Sequence, residues 1–370
     1  MYEASAASVQ PSQPHAAAPE LKPVPPAVDL LAGWEPRVVS LGGVVAKPAS
    51  FTISTRLRGR SVLTDVDLTP DEIGEVLDTA ARLKALRRAG RAHPYLAGKS
   101  LGMIFQHPST RTRVAFEAGM AQLGGQAIFL GVNDLQIKRG ETIADTAIVL
   151  SRYVDGLVAR VASHKDLEEL ADNASIPVLN GLTDRAHPMQ ALSDLLTLQE
   201  QFGQLNGLKL AYLGDGNNMC HSLLLSGAAM GVSVAVAAPA GYQPDPEVVN
   251  QATWLAAASG AGNAVVVTDD PFEAVAGADA VYTDVHVSMG QHNGAARAVA
   301  LSPYKVTEEI MAAAKPTAVF MHCLPMHRDE EVAAAVADGP QSIIFDQAEN
   351  RLHLHKAMLL HTLCGAQSGW

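Results

Sequence analysis

Ten short apolar runs, separated by longer amphipathic stretches, leave this chain few folds to choose from. Four of them, at 101–105, 127–130, 156–159 and 177–179, precede six more at 208–213, 232–237, 264–267, 280–284, 318–322 and 342–345. Strands that are apolar on both faces must be covered on both, and helical crossovers between them make a sheet parallel. The series breaks near 188–206, where Leu192, Leu195, Leu196 and Leu198 mark a long helix leading to the polar turn Gln204-Leu205-Asn206-Gly207. At 370 residues the chain also exceeds what one typical core organises. The expected architecture is α/β: two doubly wound parallel-sheet domains joined by long helices, over 67–200 and 201–349. Ligands of such sheets bind beyond the C-terminal strand ends, and the polar clusters of this sequence fall there.

Residues 1–66 are expected to form a disordered extension. The first 36 hold seven prolines and almost no large apolar residue besides Leu30, Leu31 and Trp34, too little buriable surface to offset ordering entropy. Order begins with Leu68-Thr69-Pro70-Asp71-Glu72, a capped and proline-initiated helix start, followed by Ile73, Val76, Leu77, Ala80 and Leu83 at helical spacing. No apolar run is long enough to span a membrane, and the N-terminus lacks a basic start with a compact hydrophobic stretch. Cys220, Cys323 and Cys364, odd in number and far apart, suit free thiols in the reducing cytoplasm. A net charge of −11 argues against nucleic acid but not against a phosphate ligand, since clustered arginines act at short range and distant surface charge is screened.

The densest polar cluster is Phe105-Gln106-His107-Pro108-Ser109-Thr110-Arg111-Thr112-Arg113, where the 101–105 strand gives way to a helical pattern of Val114, Phe116, Met120 and Leu123. Unpaired N–H groups and the positive dipole end of such a helix can seat a tetrahedral anion, with bidentate contacts from Arg111 or Arg113. The plain alternative is a helix capped by Ser109 or Thr110 with its arginines in water; two arginines flanking Thr112 directly after a strand favour the anion seat. Arg160 follows the next strand, and His187-Pro188-Met189-Gln190 opens a helix whose His and Gln can bond a carbonyl, or whose His merely caps it.

Gly214-Asp215-Gly216-Asn217-Asn218 invites a dinucleotide reading, but Met219 stands where a third glycine is needed. Asn217 and Asn218 read better as carboxylate or amine ligands, or as turn formers. Asp284 ends a strand before a glycine-bearing loop, which suits a cationic amine. Cys323 ends another strand beside Leu324-Pro325, as a buried structural residue or a reactive thiol. Zinc held by His322, Cys323 and His327, or by His353 and His355, is disfavoured because neither set has zinc-ligand spacing. Arg351 joins the strand-end groups from the last helix.

Taken together these clusters resemble the aspartate/ornithine carbamoyltransferase family, and within it the ornithine enzymes, from about Asp67 to the C-terminus. The motifs are Ser-Thr-Arg-Thr-Arg at 109–113, His-Pro-x-Gln at 187–190, Asp-x-x-x-Ser-Met-Gly at 284–290, His-Cys-Leu-Pro at 322–325 and Glu-Asn-Arg-Leu-His at 349–353. The resemblance implies carbamoyl transfer from carbamoyl phosphate to L-ornithine in arginine biosynthesis, giving L-citrulline and phosphate without metal or cofactor, in a homotrimer. It makes 67–200, joined by the C-terminal helix 350–370, the carbamoyl phosphate-binding domain and 201–349 the ornithine-binding domain. Ser109, Thr110, Arg111, Thr112, Arg113 and Arg160 would bind the phosphate end, and His187, Gln190 and Arg351 would reach the carbamoyl group. Gln136 would contribute at or near a subunit interface. Asn218, Asp284, Ser288 and Met289 would hold ornithine, with Cys323 and Leu324 over the reacting centre.

The residue chemistry agrees. The attacking amine must be neutral, so Asp284 and Cys323 are placed to orient it and assist proton removal; Thr112, Arg160, His187 and Arg351 are candidate donors to the oxyanion. The catalytic set is thus Arg111, Arg160, His187, Asp284, Cys323 and Arg351. Three features depart from the family pattern: Gln106-His107 where Glu-Lys is usual, His286 where ornithine enzymes often carry Trp, and the long extension. Putrescine, N-acetylornithine and aspartate are alternative amines, and a non-catalytic anion-binding regulatory protein is the alternative from another class.

Overall fold

A computed structural model of the chain describes residues 53–259, 264–287 and 294–364. The first half runs α1 (Pro70–Arg88), β1 (Ser100–Phe105), α2 (Thr110–Gln122), β2 (Gln126–Gly131), a 3-10 turn (Gln136–Arg139), α3 (Ile143–Leu150), β3 (Gly156–Arg160), α4 (His164–Asn173) and β4 (Val178–Leu182). Helix α5 (Pro188–Phe202) crosses to the second half: β5 (Lys209–Leu213), α6 (Asn218–Ala229), β6 (Ser233–Ala237), α7 (Pro246–Ala258), β7 (Val265–Thr268), α8 (Pro271–Val275), β8 (Ala280–Thr283), α9 (Gly294–Leu301), α10 (Glu308–Ala313), β9 (Val319–His322) and α11 (Ala334–Ala337). Helix α12 (Ile344–Leu363) then returns and packs on α1, α2 and α5.

Two parallel sheets result, ordered β2-β1-β3-β4 and β7-β6-β5-β8-β9. Strand β1 is central in the first and buries Leu101, Met103, Ile104 and Phe105, so both of its faces are covered. In each sheet the chain steps to one side of its first strand and later to the other, and the crevice beyond β1 and β3 and the one beyond β5 and β8 are where a doubly wound sheet presents its ligand loops. A bulge sharpens the first. Ala159 pairs with Asn180 but Arg160 pairs with Leu182, skipping Gly181, and such a slip re-aims the strand-end side chain.

Three expectations need correction. Residues 342–345 form no strand: Ser342 makes a single bridge to Phe320, and α12 begins at Ile344 rather than at 350. The apolar pair Ile343-Ile344 belongs to a helix start, which a four-residue run cannot distinguish from a strand. Helix α12 ends at Leu363, and 365–370 lie outside the described residues, as do 1–52 of the extension. The remainder of the extension, 53–66, is packed. Ile53, Leu57 and Val62 are buried, and Val62 bridges to Leu179 beside β4, donating its N–H to Val178 and accepting that of Asn180, both at 2.9 Å.

The same segment carries a buried acid. Asp65 accepts the Ser222 hydroxyl at 2.6 Å and the Ser226 hydroxyl at 2.9 Å, bolting the segment onto α6 of the second half. Burial lifts its carboxyl from 3.8 to about 6, only partly opposed by the two serines. A raised carboxylate pKa means that the folded state holds the proton more tightly, so this contribution to stability is present at low pH and lost as pH rises through 6. Asp65→Asn abolishes the titration. Its stability relative to the unaltered protein is therefore expected to improve by about 1 kcal/mol between pH 5 and pH 7, read from urea denaturation at the two values. An unchanged difference would mean that Asp65 does not titrate there.

Candidate active site

Ser109 caps α2, accepting the Thr112 N–H at 3.3 Å, and the first turn presents its free N–H groups to the crevice. Thr112 is fully buried, and its hydroxyl takes the Nη2 of Arg351 at 2.5 Å, which brings the last helix to the start of the second. Arg111, Arg160 and Arg351 lie close enough that Arg111 depresses both of the others; burial first, then this repulsion, brings Arg160 and Arg351 down to about 10. Each of the three has a buried Nε without a hydrogen-bond partner, and none forms an ion pair among the described residues. Three desolvated guanidiniums without an ion pair among the described residues are costly, and an anion relieves that cost.

Arg113 is not part of this set. It bonds Glu117 at 2.9 Å and stacks 3.6 Å over Phe129, half exposed on the side of α2. Thr110 is exposed at the first helical position. Gln136 is exposed on the 3-10 turn and accepts Arg139 at 3.4 Å, with no described contact to the arginine cluster.

His187 is buried at the cap of α5, its N–H held by the Ser222 hydroxyl at 2.8 Å and its Nδ1 unpartnered. Burial, and then Arg351, Arg160 and Arg111 among its neighbours, drive its pKa well below 6.5. The ring is neutral at physiological pH, with one nitrogen to donate and one to accept. Gln190 gives its Nε2 to Asp194 at 2.8 Å, and its Oε1 is buried and unpartnered. Asp194 is a feature that motif reading passed over. It also accepts Gln347 at 2.8 Å and Tyr282 at 2.9 Å, and burial pushes it up to about 7. Its i+4 position after Gln190, on the buried face of α5, was the available signal.

From the second half, Asp284 Oδ1 accepts the Cys323 thiol at 3.0 Å and the Val285 N–H at 2.8 Å, while Oδ2 accepts Asn217 Nδ2 at 2.9 Å. Burial, then Asp284, raises the thiol well above its usual range, so it stays protonated. Asn217 is the cap of α6, taking the Met219 and Cys220 N–H groups, and is fully engaged. Asn218 reaches across to the first half, donating Nδ2 to the Thr183 carbonyl at 2.6 Å. Its free end is therefore Oδ1, an acceptor, which of the two expected ligands, carboxylate or amine, suits the amine. Leu324 has φ +59°, an unusual conformation for a branched residue, which turns the chain sharply after Cys323. Ser288 and Met289 lie outside the described residues.

Asp284, His322 and Cys323 bring one ligand-type atom each within 4.8 Å, as do His327, Glu330 and Glu331. In the first trio these atoms have other work. The His322 Nδ1 accepts the Leu324 N–H at 2.8 Å and its Nε2 faces Glu331 at 3.3 Å, while Asp284 holds the thiol.

Two departures from the family pattern have local explanations. Gln106 accepts the Ala162 N–H at 2.9 Å and donates its own N–H to the Arg160 carbonyl at 2.9 Å, tying the ends of β1 and β3 together beside the arginines. His286 is buried, with Nε2 unpartnered and its pKa lowered by that burial.

Residues 60–200 match the family model for the aspartate/ornithine carbamoyltransferase carbamoyl-P binding domain, and 206–362 the model for the Asp/Orn binding domain. An ornithine carbamoyltransferase of Pyrococcus abyssi is 51% identical over 315 residues, 85% of this chain and 99% of that protein. One of Symbiobacterium thermophilum is 55% identical over 306 residues, covering 82% and 98%. Among solved structures, the ornithine carbamoyltransferase from Pyrococcus furiosus superposes with a TM-score of 0.81 at 49% identity, covering 85% of this chain and 99% of its own. That from Thermus thermophilus gives 0.74 at 42%, covering 82% and 98%.

Proposed function

The chain belongs to the aspartate/ornithine carbamoyltransferase family, and on that premise we propose how it carries the carbamoyl group from carbamoyl phosphate to the δ-amine of L-ornithine, giving L-citrulline and phosphate. The observation that carries the assignment of roles is the set of three guanidiniums with no ion pair among the described residues, each with a buried, unpartnered Nε, next to a neutral His187 and the unspent acceptor of Gln190. Arg111 and Arg160 take the phosphate oxygens together with the free N–H groups of α2, opened by Ser109 and Thr110. Arg351, Thr112 and His187 face the carbonyl oxygen and stabilise the oxyanion that forms on attack. Gln190 accepts from the carbamoyl NH2.

The amine enters from the side of Asp284, Cys323 and Asn218. As its nitrogen bonds to the carbonyl carbon it loses a proton to Cys323 Sγ, while the thiol proton passes to Asp284, which already accepts it. The carbon–oxygen bond to phosphate then breaks, and phosphate stays on the arginines until release. Orientation and fixed charge supply the acceleration, with no covalent intermediate. Ser288 and Met289 complete the amino-acid side, and Leu324 covers the centre. Gln136 is assigned to carbamoyl phosphate binding at or near a subunit interface of a homotrimer, which its exposure on the first half permits. The cytoplasm is the setting that three free cysteines favour; no helix among the described residues is long and apolar enough to cross a membrane.

Citrulline formation with saturating carbamoyl phosphate and a panel of ornithine, N-acetylornithine, putrescine and aspartate tests the amine assignment. Ornithine is expected to lead putrescine in kcat/KM by about a hundredfold, because a buried polar partner left unpaired costs on the order of 2 kcal/mol or more. Equal use of any competitor would overturn the ornithine role, and no turnover with any amine would favour a binding protein.

A further inference from the structure

A side-chain amide has a donor end and an acceptor end of nearly the same shape, so a site that relies on one end must be told which way the amide points. Resting on the carbamoyl phosphate reading, we infer that Asp194 is the positioning residue that fixes Gln190 with Oε1 toward the substrate, and that this distinguishes a carbamoyl group from other acyl groups on phosphate. The polarity starts at a backbone N–H, which cannot be reversed. The His322 N–H donates to Gln347 Oε1 at 2.9 Å, so Gln347 must present Nε2 to Asp194, as it does at 2.8 Å. Asp194 Oδ2 takes the Tyr282 hydroxyl at 2.9 Å, and Oδ1 takes Gln190 Nε2 at 2.8 Å.

Gln347 Nε2 and Gln190 Nε2 share Oδ1, so that oxygen stays an acceptor even when Asp194, lifted to about 7 by burial, carries a proton on Oδ2. Reversing Gln190 would set its carbonyl oxygen against a carboxylate oxygen at hydrogen-bond distance, a repulsive contact in a fully buried place. The result is an unpartnered, buried Gln190 Oε1. A buried acceptor without a donor wants an N–H, and of the groups on an acyl phosphate only the carbamoyl NH2 supplies one. Acetyl phosphate has a methyl there and inorganic phosphate has nothing.

Two ligand series test this on the intact enzyme. In Asp194→Leu the oxygen that takes Gln190 Nε2 is gone, so the Gln190 amide loses its fixed direction. The KM for carbamoyl phosphate is expected to rise about tenfold, the value of one buried hydrogen bond misdirected. Competitive inhibition by inorganic phosphate and by acetyl phosphate should hold or tighten, because a negative charge that offsets Arg351 has gone. In a Gln190→Ala background the same substitution should weaken carbamoyl phosphate no further, as coupled residues do not add. Gln347→Met, which cuts the link to the backbone but keeps Asp194, should show the same selectivity at about threefold and serves if Asp194→Leu does not fold. Equal losses for carbamoyl phosphate and phosphate, or additive losses in the double variant, would overturn the inference. Failure of the unaltered protein to bind carbamoyl phosphate would instead remove the reading beneath it.

Discussion

Arg111→Ala is expected to weaken carbamoyl phosphate binding about a thousandfold while leaving the melting temperature unchanged or higher, since two or three charge-assisted hydrogen bonds at about 1.5–3 kcal/mol each are lost from the complex alone. The unusual half of this expectation concerns stability. Removing a buried arginine ordinarily strands its partner, but Arg111 is only partly buried, has no ion pair among the described residues and repels Arg160 and Arg351, helping to hold both at about 10. Its loss relieves that repulsion, so stability and binding should move in opposite directions, as at sites held for function. Isothermal titration with carbamoyl phosphate and a thermal melt without ligand decide it. A marked fall in melting temperature would mean that Arg111 has a structural partner; unchanged affinity would remove it from the phosphate seat.

Asp284→Asn is expected to cut kcat/KM for ornithine by about a hundredfold or more and to leave carbamoyl phosphate binding within a factor of about two. The substitution keeps the shape and removes an acceptor. The new carboxamide would keep its oxygen for the Val285 N–H and the thiol, which sets its NH2 against the NH2 of Asn217 where a 2.9 Å hydrogen bond now stands. The proton from Cys323 also loses its destination, so kcat should fall along with amine affinity. Steady-state kinetics in ornithine, beside a binding measurement for carbamoyl phosphate, separates the two sides of the crevice. Equal harm to both substrates would show that Asp284 supports the fold of the whole site.

Much of this was legible in the sequence because strand-end loops carry the ligands, and such loops announce themselves by polar residues after short apolar runs. Arg111, Arg160, His187, Asp284 and Cys323 follow such runs, while Arg351 lies inside α12 and not after a strand; the structure places the six within electrostatic reach of one another. Arg113 shares the same motif, but the helix turns its side chain to Glu117 and Phe129, a matter of rotation that adjacency along the chain does not encode. Asp194, Tyr282, Gln347 and Ser222 were invisible as a set, because their meaning lies in contacts between residues up to 157 positions apart. The segment 53–66 has no period to recognise. It is held by single anchors, Leu57, Val62 and Asp65, each meeting a different surface. The 342–345 run failed for lack of length.

Helix α12 limits how this protein can be divided. It starts beneath the second sheet, where the Ile343 N–H bonds the Phe320 carbonyl, and it ends against the first, where a β-carbon on Gly156 would lie 2.7 Å from Leu363. A cut in the linear chain is thus never a cut in space. A gene fragment stopping near 200 would encode the first sheet without the helix that roofs it, and the complementary fragment would carry that helix with nothing to cover. Exchange of the amine-binding half between relatives therefore requires two junctions, one in α5 and one in α12, and a single-crossover chimera inherits a mismatched roof along the full length of its last helix.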